Sequence, residues 1–186
     1  MEVSLNEIRK GFTFLITNES ICIEGKITKA NENAPYNMQC KDLSIRRKPL
    51  TTKKDLELLE SLEKEEQIDF LKDLIKTTIK SELNKKKLFI EELSKGNYKK
   101  TIYWGPFSPN ISGIGGLCNF YIYDGKKKFP GSFCIYTNPD YSYINFNDLF
   151  PNLIPLKSLN EDDAKKEVFE TLKNKGISML EIYNEL

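Results

Sequence analysis

The chain has no histidine at all. Histidine is the side chain whose ordinary pKa lies nearest neutrality, so its absence removes the usual general base, proton shuttle and nitrogen metal ligand together. Ser/His/Asp and Cys/His nucleophile systems are excluded on that ground, as are histidine-ligated zinc, non-haem iron and blue-copper sites. Carboxylate, lysine, tyrosine or thiol chemistry remains. Arginine is also scarce: Arg9, Arg46 and Arg47 are the three arginines among 28 basic residues. The abundance of lysine, asparagine and isoleucine is that of AT-rich coding DNA. Long apolar runs are missing too, and none approaches the roughly 20 residues that span a bilayer. The N-terminus, with Glu2 and Glu7 among its apolar positions, does not read as a signal peptide. Together these absences predict a cytoplasmic protein with no membrane partner.

Cysteine is present but poorly placed for chemistry. Cys22, Cys40, Cys118 and Cys134 are far apart and include no close pair that would suggest a zinc knuckle or redox motif. Cys22, Cys118 and Cys134 lie in apolar or aromatic stretches, so they are expected as small buried hydrophobes in strands of a reduced protein. A nucleophilic thiol needs a cationic activator, and histidine cannot supply it. No catalytic residue, metal ligand or cofactor is assigned. The rest of the composition, 39% hydrophobic and 30% charged over 186 residues, is that of an ordinary globular protein long enough to bury a real core. Its formal net charge of +1 means that any charge-based partner must be met by a local patch.

Hydrophobic periodicity assigns the elements. Phe12, Phe14 and Ile16 alternate with Thr13, Leu15 and Thr17, and Ile21, Ile23 and Ile27 follow the Asn18-Glu19-Ser20 turn, which predicts a hairpin over 12 to 29. Residues 30 to 49 read as a loop with a short strand near 38 to 45, followed by a basic segment. Thr51 or Thr52 can cap a helix with acids in its first turn. Ile68, Leu71, Ile75, Ile79 and Leu83 then form one helical stripe, and polar interruptions near Lys64 and at Lys85 to Lys87 divide the region 52 to 95 into two or three helices ending at Gly96. From Lys99 onward, short aromatic segments separated by turn residues predict an antiparallel meander. Asn160 to Asp163 look like a helix start; that helix is expected to stop at Gly176, with a last one from Ser178. The expected fold is one α+β domain over 1 to 186. Its antiparallel sheet, made of the N-terminal hairpin and the C-terminal-half meander, packs against helices at about 52 to 95 and 160 to 186, and the first helical segment can protrude.

Candidate contact residues come from three local concentrations. Tyr98, Tyr103, Trp104, Pro106, Phe107, Pro109 and Asn110 are the densest aromatic and proline stretch, and the glycine cluster from Ser112 to Gly116 follows it. That cluster lacks the ending of a phosphate-binding loop and the spacing of a dinucleotide fingerprint, so it reads first as a flexible loop between two strands, with the edge of a binding surface as the alternative. Trp104, Phe107, Asn110 and Ile114 are taken as partner-binding positions, because aromatic residues anchor interfaces, although a single tryptophan beside a strand commonly belongs to the core. Charge is segregated as well: residues 40 to 54 carry six cations against one acid, and residues 55 to 70 carry seven acids against one cation. Arg46 and Arg47 add a bidentate grip for carboxylate or phosphate. Lys126, Lys127 and Lys128 follow the Asp124-Gly125 turn and read first as the solvated end of a hairpin that blunts edge pairing; beside Tyr121, Tyr123 and Phe129, binding of single-stranded nucleic acid is the alternative. Asp140, Asp148, Asp162 and Asp163 fall at turns or a helix start, where aspartate is favoured for backbone reasons.

These readings favour a non-catalytic protein-binding module of bacterial or phage origin, an inhibitor or immunity-type protein that occludes a macromolecular partner, expected to be another protein. The alternative is a nucleic-acid or nucleotide binder using Arg46, Arg47, Lys48 and Lys126 to Lys128. A histidine-free enzyme working through a convergent carboxylate pair is the third.

Overall fold

A computed structural model describes the chain apart from residues 20, 44, 97–101, 111–114, 124–125, 137–140, 148 and 151. The fold is α+β, with two five-stranded antiparallel sheets and four helices among the described residues. The chain divides into two compact units, residues 1–86 with 181–186, and residues 87–180.

In the first unit, strands β1 (Glu2–Ile8), β2 (Gly11–Thr17), β3 (Cys22–Thr28), β4 (Asn37–Cys40) and β5 (Ile45–Pro49) pair in chain order as a meander. The expected hairpin is β2 with β3, in register at Phe14 with Gly25 and Ile16 with Ile23. Its turn is tied by the Asn18 side chain, whose Oδ1 accepts from the Ile21 N–H at 2.6 Å. Phe14, Ile16, Ile23, Ile27 and Met38 are buried. The same alternation corrects the expectation for Cys22: it is exposed, because Ile23 beside it faces the core and neighbouring strand residues point to opposite faces. Cys40, Cys118 and Cys134 are buried.

Helices α1 (Lys53–Ser61) and α2 (Lys64–Asn84) complete this unit. Thr52 caps α1, its Oγ1 accepting from the Asp55 N–H at 3.3 Å while the Asp55 carboxylate accepts from the Thr52 N–H at 2.7 Å. Those bonds from Thr52, backbone first, hold the Asp55 carboxyl below its ordinary pKa. A group whose folded pKa is depressed contributes stability above its unfolded pKa and loses it as pH falls through the folded value. Thr52→Ala should therefore cost about 1 kcal/mol at neutral pH. In urea titrations the gap from wild type should narrow as pH falls below the ordinary aspartate range and through the depressed pKa of Asp55. The break near Lys64 falls at Glu63, whose N–H donates to the Glu66 carboxylate. Beyond it Leu71, Ile75, Ile79 and Leu83 are buried at a spacing of four, and α2 lies against β1.

The second unit opens with α3 (Lys87–Lys95), which Gly96 ends at φ +69°, the left-handed conformation glycine adopts at little cost. Strands β6 (Ile102–Pro109), β7 (Gly116–Tyr123), β8 (Lys128–Ile135), β9 (Tyr143–Asn145) and β10 (Ile154–Pro155) form a second meander. Helix α4 (Glu161–Glu185) follows, its residues to 180 belonging to this unit. Phe120, Phe133 and Phe146 are buried on the inner side of the sheet, with Ala164, Val168 and Leu172 of α4 also buried. Phe89 of α3 stacks on Phe129 at 4.2 Å. The helix expected to stop at Gly176 runs through it to Glu185. Gly176 is buried, and a Cβ there would stand 2.6 Å from both Leu93 Cβ and the Ser94 nitrogen. The glycine thus serves close approach of α3 to α4 and terminates nothing.

Candidate binding surface

Alternation on β7 sends Cys118, Phe120 and Ile122 inward and Leu117, Asn119, Tyr121 and Tyr123 outward. The register sets Tyr103 of β6 opposite Tyr121, and Lys128 of β8 opposite Tyr123. The Tyr103 and Tyr121 rings stack at 4.9 Å and 15°. The Lys128 ammonium lies 4.5 Å from the Tyr121 ring centroid. Since β7 runs between β6 and β8, the Tyr121 ring has Tyr103 on one flank and Lys128 on the other. Tyr103 is 49% exposed and Tyr123 39%, so these large rings are held by cross-strand neighbours and left open to solvent. Tyr136 and Tyr143, 6.5 Å apart, add a second aromatic pair. The outward positions of the first sheet are chemically different, with Ser4, Asn6, Glu24 and Lys26 exposed there.

The residues singled out in the sequence are dispersed by the fold. Trp104 is half-buried and faces inward among Phe120 at 5.1 Å, Phe133 at 6.0 Å and Phe169 at 5.7 Å, with the Lys165 ammonium 5.5 Å from its ring. Phe107 joins the same cluster, 6.3 Å from Phe133. Regular alternation would place residues 104 and 107 on opposite faces; the register shift between them brings both inward. Asn110 is half-buried, its N–H bonded to the Gly115 carbonyl at 3.0 Å. Ile114, with Tyr98, Asp140, Asp148 and the Asp124-Gly125 turn, lies outside the described residues.

Arg46 and Arg47 are exposed on β5, the edge strand of the first sheet, where the sequence suggested a loop. As neighbours on a strand they point to opposite faces, which separates their guanidinium groups. Lys48 is engaged by Glu82 at 3.0 Å. Lys126, Lys127 and Lys128 are exposed, and the Lys127 ammonium sits 5.0 Å from the Phe129 ring, on a side chain that is itself buried. Of the acids, Asp163 pairs with Lys166 at 2.7 Å, and its N–H donates to the Asn160 side chain at the start of α4.

No family model matches the chain, and no curated protein or solved structure is similar to it. The surface has to be read from its own chemistry. Among the described residues no three cysteine, aspartate or glutamate side chains gather as a metal site, and no helix is long and apolar enough to cross a membrane. Burial pushes the Cys118 thiol above its ordinary pKa, against the partly compensating charge of Lys165, so it is a poor nucleophile. The outer face of the second sheet, by contrast, presents phenol hydroxyls and ring edges on a fixed backbone. Its sequence signature is the Tyr121-Ile122-Tyr123 alternation, aromatic residues at strand period with polar tips, and not the single tryptophan.

Proposed function

We propose that the chain is a non-catalytic protein-binding module, and that it occludes a protein partner with the outer face of its second sheet, in an inhibitor or immunity-type role of a bacterium or phage. The observation that carries this reading is the Lys128–Tyr121–Tyr103 ladder. Tyrosine is enriched at protein interfaces because a large rigid ring ends in a hydroxyl that can bond when buried. Holding the rings in place beforehand lowers the ordering cost of association. Bases stacking on single-strand binders need an open aromatic face. On Tyr121 both flanks are occupied, so edges and hydroxyls remain for contact, which favours a protein partner over a nucleic acid. Among the described residues no carboxylate pairs with Lys128, which leaves its charge to complement an acidic rim on the partner.

The double variant Tyr103→Ala/Tyr121→Ala tests this directly. Both side chains point away from the core, so circular dichroism should be unchanged. In crosslinked capture from native-cell extract, wild type should retain one protein at equimolar ratio and the variant should lose it. Truncating an interface hot spot costs about 2 kcal/mol or more, so affinity for the purified partner should fall at least ~30-fold. Capture of no stoichiometric protein, or equal capture by the variant, would defeat the reading. Oligonucleotide binding that weakens steeply with salt and disappears in the variant would replace it with the nucleic-acid alternative.

A further inference from the structure

The first unit contains a cleft of about 500 Å³ beside the β1–β2 turn. Volumes of 300 to 1,000 Å³ are typical of small-ligand sites. Backbone geometry builds it. Ile8 pairs with Gly11 and leaves Arg9 and Lys10 at the hairpin tip. Gly11 has φ +150°, and a Cβ on it would stand 2.0 Å from the Ile27 carbonyl oxygen, so the start of β2 lies beside β3 at a distance only glycine permits. The Lys29 N–H donates to the Lys10 carbonyl at 3.0 Å, which brings a third cation alongside. Tyr36 is fixed by its N–H bond to Thr51 Oγ1 at 2.9 Å and by its carbonyl, which accepts from the Leu50 N–H at 2.8 Å. Its ring lies 6.3 Å from that of Phe12, with the Lys29 ammonium 4.6 Å from its centroid. A smaller recess of about 100 Å³ shares Phe12, Lys29 and Tyr36 and is lined further by Leu56, Leu59 and Leu71.

The cleft therefore has two chemically distinct ends. Phe12 and Tyr36, with Ile8 and Ala30, offer an apolar, partly aromatic wall. Arg9 and Lys10 offer positive charge: among the described residues neither has a carboxylate within ion-pair distance, and Glu7, which also lines the cleft, lies 3.7 Å from Lys64. Glu32 supplies one negative charge at the rim and its carbonyl accepts from Lys29 Nζ at 3.3 Å. Burial, reinforced by Glu7, raises the Tyr36 phenol pKa, so at neutral pH it is a hydrogen-bond donor.

We infer that this cleft binds a nucleotide, with the phosphate held by Arg9 and Lys10 and the base set against the Phe12 ring beside the Tyr36 hydroxyl. Arginine's planar fork and the lysine point charge are the usual phosphate ligands, and aromatic walls accept any base by stacking. A free phosphate would use only the charged end, and a nucleoside only the apolar one, so the two ends together select a molecule that carries both groups. This site is independent of the tyrosine face of the second unit.

Calorimetric titration of the full chain with the ribonucleoside monophosphates and triphosphates tests the inference, with inorganic phosphate and the matching nucleosides as comparison ligands. At least one nucleotide should bind at one per chain, and its nucleoside and inorganic phosphate should each bind at least tenfold more weakly. Arg9→Gln and Lys10→Gln lie on an exposed tip and should leave the fold intact by circular dichroism while weakening the nucleotide tenfold or more. Absence of binding by every nucleotide, phosphate binding as tight as theirs, or unchanged affinity in both variants would overturn the assignment.

Discussion

Phe133→Ala should remove about 3–5 kcal/mol of stability, the range for truncating a fully buried phenylalanine. Phe133 has no solvent exposure, and on β8 it sits between Cys118 of β7 and Ile144 of β9. Trp104 meets it edge-on at 6.0 Å and Phe107 stacks at 6.3 Å. The loss combines the transfer energy of the ring with the cavity left behind. Neighbouring strands on both sides keep the backbone from closing that cavity, which places the cost high in the range. Because the chain has one tryptophan and it touches Phe133, its emission reports this site directly. Urea unfolding followed by tryptophan fluorescence should show a lowered midpoint with an unchanged slope. Native emission should also shift to the red as water reaches the indole. Phe133→Leu should recover a substantial part of the loss, since it restores most of the apolar volume. A midpoint change equivalent to under about 1 kcal/mol for the alanine variant would contradict the packing described here.

Gly176→Ala should destabilise by about 2–3 kcal/mol, in the range of overpacking, although the same substitution at an exposed helix interior gains about 1 kcal/mol. The reversal of sign is the informative part. The new Cβ would meet Leu93 Cβ and the Ser94 nitrogen at 2.6 Å and the Leu93 carbonyl carbon at 2.9 Å. Two of those three atoms are backbone, so no rotamer change relieves the contact and α3 must move away from α4. Thermal melts should show the midpoint falling by roughly 4–12 °C, at about 2–4 °C per kcal/mol for a chain of this size. Asn174→Ala on the same helix, at an exposed position, is the control and should be near neutral. An unchanged or raised midpoint for Gly176→Ala would mean that the two helices have room to spare.

Gly176 also shows where local reading reaches its limit. Glycine after an amphipathic run is the usual sign of a helix end, and at Gly96 it is one, at φ +69°. At Gly176 the same residue answers a contact with a segment about 80 positions earlier, which local pattern does not contain. Strand β1 is the opposite case: Val3 and Leu5 alternate with Glu2, Ser4 and Asn6, a strand period that local pattern does contain. At Cys22 an apolar neighbourhood does not mean burial: the strand period, visible in Ile21 and Ile23, assigns it to the solvent side. The surface residues were harder. Tyr103, Tyr121 and Lys128 come from three strands, and only register makes them neighbours. Arg46 and Arg47 are adjacent in sequence and separated by the pleat, while Arg9, Lys10 and Lys29 are brought together where β2 pairs with β3.

By itself the sequence determined the fold class, the division of residues 52 to 95 into helices, the hairpin of β2 and β3, and the exclusion of histidine chemistry. These follow from interactions over a few residues: side-chain periods of two or 3.6, caps, turn residues and the presence or lack of a functional group. Tertiary structure alone decided that the strands form two separate meanders, that a bulge turns both Trp104 and Phe107 inward, and that Tyr103, Tyr121 and Lys128 form an exposed ladder. The physical reason is that register and close packing are set by pairing between distant segments, where a shift of one residue reverses every face.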